Sequence, residues 1–324
     1  MNTFLLGKRH TGVLAGISML TAVAMLSAAS PALAGTEDDA ASGAASIVER
    51  ATGTADLAPT TAAPGGAGRA VISTGSGDLT VDAPTDSSGY LESTAADGTS
   101  LRLDLPETNT VTGVRSGAGT IVYAEAARST DLAIQPTVDG GARTLVTLKD
   151  GNAPEEYRFG LDLPAGTGLL PDGQGGYLIS KSAGQGTAVL GSIDAPWAKD
   201  ARGEAVPTAY RVEGDTLVQT VTTNASTVFP VVADPKVSFG FSVYFKFSKA
   251  EVKALNNKVQ YADTAAAACG LLVIPAAAVG CAGITTAVIR RIQRVWQYAK
   301  DNKRCVELSF SYAGLFSNVK HYKC

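Results

Sequence analysis

Histidine is nearly missing from this chain. Of 324 residues only His10 and His321 are histidine, and His10 lies in a stretch read below as removed on secretion. A multi-His zinc site is therefore excluded, and any Ser-His-Asp or Cys-His arrangement would have to centre on His321. Other chemical signatures are also missing. The four cysteines contain no C-x-x-C, which argues against a redox-active pair. The β-patterned region has no G-x-S-x-G elbow. Asp172-Gly173-Gln174-Gly175-Gly176 lacks the repeated carboxylates of a calcium loop. Aromatic residues make up only 6% of the chain, a scarcity that a GC-rich genome explains as well as function does. The expectation is a protein without metal or cofactor that is not an enzyme. The nearest approach to catalysis is a carboxylate pair drawn from Asp194, Asp200 and Asp234 for hydrolysing a wall polymer, although no spacing fixes it.

What is present begins with a leader. Lys8 and Arg9 precede an apolar run from Gly12 to about Ala29, and Ala32-Leu33-Ala34 offers small residues at the positions a signal peptidase reads. Residues 1–34 read as a signal peptide in preference to an N-terminal anchor, because the run is short and contains Gly and Ser. The expected location is secreted and extracellular, where cysteines form disulfides.

Charge is sharply segregated. From Lys236 to Cys324 there are thirteen Lys and Arg against four acids, a formal charge of about +9. From Gly35 to Pro235 there are 12 basic and 26 acidic residues, about −14. The whole-chain figure of −3 conceals two segments of opposite sign that meet at Asp234-Pro235.

Pattern subdivides the chain further. Residues 35–68 are rich in Ala, Thr, Gly and Pro with few large apolar anchors, and predict a disordered linker. Residues 69–235 carry short alternating runs such as Leu79 to Val81, Leu101 to Leu105, Tyr157 to Leu163 and Leu217 to Val221, separated by Gly- and Asp-rich turns. That grammar predicts an antiparallel sandwich or stacked hairpins, with room for a sub-boundary near 151–154. Residues 236–324 predict a small disulfide-bonded α+β module, so the fold class is α+β and multi-domain. Val237, Phe239, Phe241, Val243, Phe245 and Phe247 alternate as one long strand with an aromatic face. Ser248-Lys249-Ala250-Glu251 forms a capping box that opens a helix burying Val252, Leu255 and Val259. Ile284, Val288, Ile292, Val295 and Ala299 continue at helical spacing.

The cysteines fall symmetrically about turns. Cys269 and Cys281 flank Pro275, the expected turn of a helical hairpin, and Cys305 and Cys324 flank Gly314-Leu315, the expected turn of a β-hairpin. Residues opposite one another across a hairpin come within disulfide range. This favours Cys269–Cys281 and Cys305–Cys324 over the crossed pairings, with the long strand pairing to the terminal hairpin and the helical pair packing on that sheet.

Three functional readings follow. Thr264 to Ile289 is uncharged and leads into Arg290, Arg291 and Arg294, with Lys300 beyond. This suits a reversible membrane contact or a spanning segment, whereas Pro275 and the glycines favour a buried helical pair. Nucleic acid, with Trp296 or Tyr298 stacking, is set aside as a partner because a secreted cation more often meets envelope polymers or lipid head groups. Asp234-Pro235 is a labile dipeptide at the charge reversal and a candidate release point, although Asp before Pro is more often just an extended residue.

Ile193-Asp194-Ala195-Pro196-Trp197-Ala198-Lys199-Asp200-Ala201, Val206-Pro207-Thr208-Ala209-Tyr210 and Phe229-Pro230-Val231-Val232-Ala233-Asp234-Pro235 resemble a segment of many secreted actinobacterial proteins. The cysteine-bearing tail is similar to the one often attached to it, so the resemblance covers about residues 150–324. It implies secretion and this modular layout, and no activity. The functional expectation is a secreted binding or effector protein whose basic module engages an anionic envelope component through Arg290, Arg291, Arg294 and Lys300. The alternatives are a bacteriocin-like, membrane-active module carried by an acidic pro-region, and the wall hydrolase. The oligomeric state is left open.

Overall fold

The computed structural model describes residues 32–74, 77–184, 186–264, 270, 284–312 and 315–324. The expected signal peptide up to residue 31 lies outside the described residues. So do Cys269, Pro275 and Cys281, and with them the expected helical hairpin and its disulfide.

The alternating runs form two antiparallel sheets. The first has eight strands, in the order β1 (Thr60–Ala63), β2 (Gly66–Thr74), β3 (Gly77–Pro84), β4 (Tyr90–Thr94), β5 (Ser100–Asp104), β10 (Glu156–Asp162), β16 (Thr216–Val221) and β15 (Thr208–Glu213). The second has twelve. Its main path runs β6 (Val114–Ser116), β7 (Thr120–Ala127), β8 (Thr130–Pro136), β9 (Gly141–Leu148), β18 (Lys236–Phe247), β13 (Gly186–Ile193), β12 (Tyr177–Ala183) and β11 (Gly168–Pro171). Off this path β17 (Val231–Ala233) joins β9 to β14 (Ala198–Lys199), and the hairpin of β19 (Cys305–Ser311) and β20 (Phe316–Tyr322) extends from β18. Alternate residues of each strand face inward. Leu79, Leu103 and Phe159 of the first sheet share one buried core with Ile121, Val146 and Val237 of the second.

Two expected divisions do not follow the chain's hydrogen bonding. Residues 151–154 are not a sub-boundary, because β10, which follows them, pairs with β5, which precedes them. The charge reversal at 234–235 is not a gap between cores either. The strand just beyond it, β18, pairs with β9 and β13 of the acidic segment as well as with β19.

The linker expected over 35–68 is also corrected. Residues Ala32–Thr52 form helix α1, and β1 and the start of β2 follow it. Ala41, Ala44, Ala45 and Val48 recur at helical spacing and bury against Val122, Ala133, Leu145 and Val232 on the outer face of the second sheet. Glu49 fastens the end of this helix, accepting from the Ala118 amide at 2.6 Å and the Thr120 hydroxyl at 2.8 Å. Alanine reads as filler in a composition count, yet on a helix a stripe of small side chains lets the backbone lie close to a sheet and gather many weak contacts.

The C-terminal segment forms largely as its local grammar predicts. Ser248 Oγ accepts from the Glu251 amide and Glu251 Oε2 accepts from the Ser248 amide, the reciprocal capping box that opens α2 (Lys249–Gln260). Val252, Leu255 and Val259 are buried. Helix α3 (Thr286–Asp301) buries Ile289, Ile292, Trp296 and Ala299. Val288 and Val295 of the expected stripe are only half-buried, so the helix is rotated to bring Trp296 inward. β18 pairs with β19 as expected, Phe245 opposite Leu308 and Phe247 opposite Val306, and Cys305 is bonded to Cys324.

Candidate functional site

Helix α3 sits on the sheet formed by β18, β19 and β20 because Trp296 anchors it. The indole is buried, meets Phe247 edge-on at 4.9 Å and donates from Nε1 to the Val252 carbonyl at 2.9 Å. That position removes Trp296 from any stacking role toward a nucleic acid. With this face fixed inward, Arg290, Arg291, Arg294 and Lys300 are all exposed. Arg291 donates to Asn318 Oδ1 at 2.7 Å, a neutral partner that leaves its charge uncompensated. Among the described residues no carboxylate lies within ion-pair distance of Arg290, Arg294 or Lys300.

The acidic segment treats its cations differently. Arg69 pairs with Asp82, Arg102 with Glu92, Arg143 with Asp56, Arg158 with Glu213 and Arg211 with Glu156. In the basic segment Lys320 is bound to Glu307 at 2.9 Å and Lys236 reaches back to Asp139 at 2.7 Å. The two segments thus differ in pairing as well as in count.

His321, the only histidine among the described residues, stacks on Tyr298 with ring centroids 4.6 Å apart, and its Nδ1 lies 3.0 Å from an Arg304 guanidinium nitrogen. No carboxylate or hydroxyl nucleophile is bonded to it among the described residues. Among those residues no group of three or more His, Cys, Asp or Glu is arranged to hold a metal, and no helix is long and apolar enough to cross a membrane. The Cys305–Cys324 bond fits an oxidising, extracellular compartment.

Of the three aspartates considered for hydrolysis, Asp200 stands apart, whereas Asp194 lies near enough to Asp234 for its charge to raise that carboxyl. Asp200 is consumed by its own loop, accepting from the amides of Arg202, Glu204 and Val228 and from the Arg202 guanidinium, and these bonds hold its carboxyl below the usual range despite burial. Asp194 is exposed, yet partial desolvation by its neighbours raises its carboxyl, with Lys236 opposing. Asp234 is fully buried between β17 and β18. Its Oδ1 accepts from the Trp197 amide at 2.9 Å and from Gln219 Nε2 at 3.4 Å, while Oδ2 is unbonded. The Tyr210 hydroxyl lies beside this carboxyl but outside hydrogen-bonding geometry. Burial pushes Asp234 up to about 7, against the Trp197 and Tyr210 contacts that favour its charge. A carboxyl so enclosed cannot meet a polysaccharide. As a release point, Asp234-Pro235 is equally enclosed: the Pro235 carbonyl accepts from the Thr144 amide at 2.8 Å, and a cut there would leave β18 bonded on both sides.

One surface went unforeseen. The aromatic alternation of β18 breaks at Gly240, whose φ of 85° no side chain adopts readily and whose Cβ would stand 2.3 Å from Leu79 Cδ1. Val189 faces Tyr244 and Gly191 faces Phe239, so β18 takes five steps where β13 takes two. This bulge turns Phe241 out of the core to 45% exposure, a correction to the continuous aromatic face. A glycine inside a strand pattern was the available signal. No protein-family model, no curated protein and no solved structure matches this chain.

Proposed function

We propose that this is a secreted binding protein without enzymatic activity, which uses the outward face of α3 to engage an anionic component of a bacterial envelope. The observation that carries the reading is the contrast in pairing. Arg290 and Arg294 are exposed and have no ion-pair partner among the described residues, whereas most arginines of the acidic segment are matched by a carboxylate. Unmatched cations on a rigid helix attract a phosphate- or carboxylate-bearing surface and steer the protein toward it. The acidic segment carries this face without masking it, since none of its carboxylates pairs with the arginines of α3 among the described residues. A signal-peptidase cut after Ala34 would leave Ala41, Ala44, Ala45 and Val48, which bury against the second sheet, in the mature chain.

The test uses the full mature chain, because β18 is shared by both segments. Retention is measured on phosphatidylglycerol vesicles and on isolated cell walls, with phosphatidylcholine vesicles as control. Each cation near such a surface contributes about 1 kcal/mol, so Arg290→Gln with Arg294→Gln should weaken retention about thirtyfold at low salt. Salt near 0.5 M should reduce wild-type retention toward the level of the double variant. Binding that ignores both salt and the double substitution would refute the proposal. The vesicle and wall arms separate a lipid from a polymer target.

A further inference from the structure

The bulge at Gly240 shapes a second surface, on the face of the sheet opposite α2 and α3. Along β18, Val243, Phe245 and Phe247 point to the helices, and Ser242, Tyr244 and Lys246 point the other way. There an open cleft of about 520 Å³ is lined by residues of β12, β13, β18, β19 and β20 and by the β8–β9 turn. Phe241 forms part of its wall, where it rests over Gly140: a Cβ on that glycine would lie 3.1 Å from the ring.

Three features of the lining converge. Ser192, Ser238, Ser242 and Tyr244 bring hydroxyls to the cleft, and none of them is used in a side-chain hydrogen bond among the described residues. Phe241 and Tyr244 supply rings at its wall and floor, and Phe241 is exposed only because the strand was bulged to turn it out. Lys246 lies in the cleft with no ion-pair partner among the described residues, whereas the neighbouring Lys320 is bound to Glu307. Hydroxyls that donate and accept match the hydroxyls of a sugar, aromatic faces accept the C–H face of a pyranose, and an unmatched ammonium suits an acidic substituent. A peptide strand would need a free sheet edge or pockets for alternate side chains; β13 and β18, which supply most of the lining, are paired on both sides, and β20, whose outer edge is unpaired among the described residues, contributes only Lys320.

The geometry points to a saccharide-binding cleft at Phe241, Tyr244 and Lys246 that takes a uronic-acid-type or otherwise anionic sugar unit. It lies on a different face from the α3 arginines and stands whether or not they bind an envelope surface. The test titrates the full chain calorimetrically with a galacturonic acid tetramer and with an N-acetylglucosamine tetramer. The acidic tetramer should bind. Phe241→Ser, at an exposed position, should weaken it about tenfold while unfolding remains unchanged. Lys246→Gln should reduce the acidic tetramer to the affinity of the neutral one. Arg290→Gln with Arg294→Gln should leave these titrations unaltered, even if it abolishes retention on walls or vesicles. The inference is overturned if neither tetramer binds up to millimolar concentration, or if Phe241→Ser has no effect. It is also overturned if binding follows the arginines of α3, or if an acidic peptide of equal charge binds as tightly.

Discussion

Replacing Asp234 by Asn should stabilise the protein in alkali and not in acid. The carboxyl is wholly buried, its Oδ2 lacks a hydrogen bond, and burial pushes it up to about 7 in the folded state. An unfolded chain returns it to about 3.9. Between these values the folded state holds a proton that the unfolded state has released. Stability therefore falls as pH rises, by up to about 1.4 kcal/mol per pH unit. Below about 4 both states are protonated and the group costs nothing; above about 7 the whole penalty is present, at most about 4 kcal/mol. Asparagine mimics the neutral acid. Its Oδ1 can keep the Trp197 and Gln219 bonds, and its amide occupies the Oδ2 position beside the Tyr210 hydroxyl without carrying a charge. Urea unfolding of wild type and Asp234→Asn at each pH from 4 to 8 measures the difference, and other titrating groups largely cancel in it. The variant's advantage should be near zero at pH 4, grow through pH 5 to 7 and level off at pH 8. An advantage independent of pH, or one that shrinks as pH rises, would show that the carboxyl is solvated or ion-paired after all.

Two further outcomes concern the scaffold. Cys305→Ser with Cys324→Ser opens a loop of sequence separation 19 and should cost about 3 kcal/mol, read from urea midpoints without reductant. An unchanged midpoint would mean that strand pairing alone holds β20. Ala45→Asp places a carboxylate where α1 meets Leu145 and Val232, and should undock the helix without unfolding the sheets. Hydrogen exchange would then show protection lost over 41–48 and kept in β7 to β9; protection retained over 41–48 would mean that α1 does not depend on that contact.

The features legible in the sequence were those that neighbouring residues decide among themselves. A capping box, an alternating hairpin and a pair of cysteines flanking a turn each specify geometry over about twenty residues or fewer, and Ser248 with Glu251, β19 with β20, and Cys305 with Cys324 all form accordingly. Features that depend on a distant partner were not legible. The alanine stripe of α1 acquires meaning only opposite Val122, Ala133 and Leu145. The rotation of α3 is set by Val252 and Phe247 receiving Trp296. The exit of Phe241 is enforced by Leu79, which leaves no room for a side chain at Gly240.

The same distinction bears on the charge reversal. A formal count near Asp234-Pro235 invites a picture of two opposed bodies, yet the strand that begins there lies between β9 and β13 and shares their core. The carboxyl at the reversal is itself neutral below about pH 7, so it contributes to neither sign in an acidic environment. What the surface presents depends on pairing more than on counting. Five carboxylates of the acidic segment pair with Arg69, Arg102, Arg158 and Arg211, whereas in the basic segment Glu251 closes a helix cap and Glu307 holds Lys320. With those acids occupied, Arg290, Arg294 and Lys246 remain unmatched on opposite faces of one sheet. A chain of net charge −3 can therefore present a cationic face on α3, because an ion pair cancels charge only locally and no carboxylate among the described residues pairs with Arg290 or Arg294.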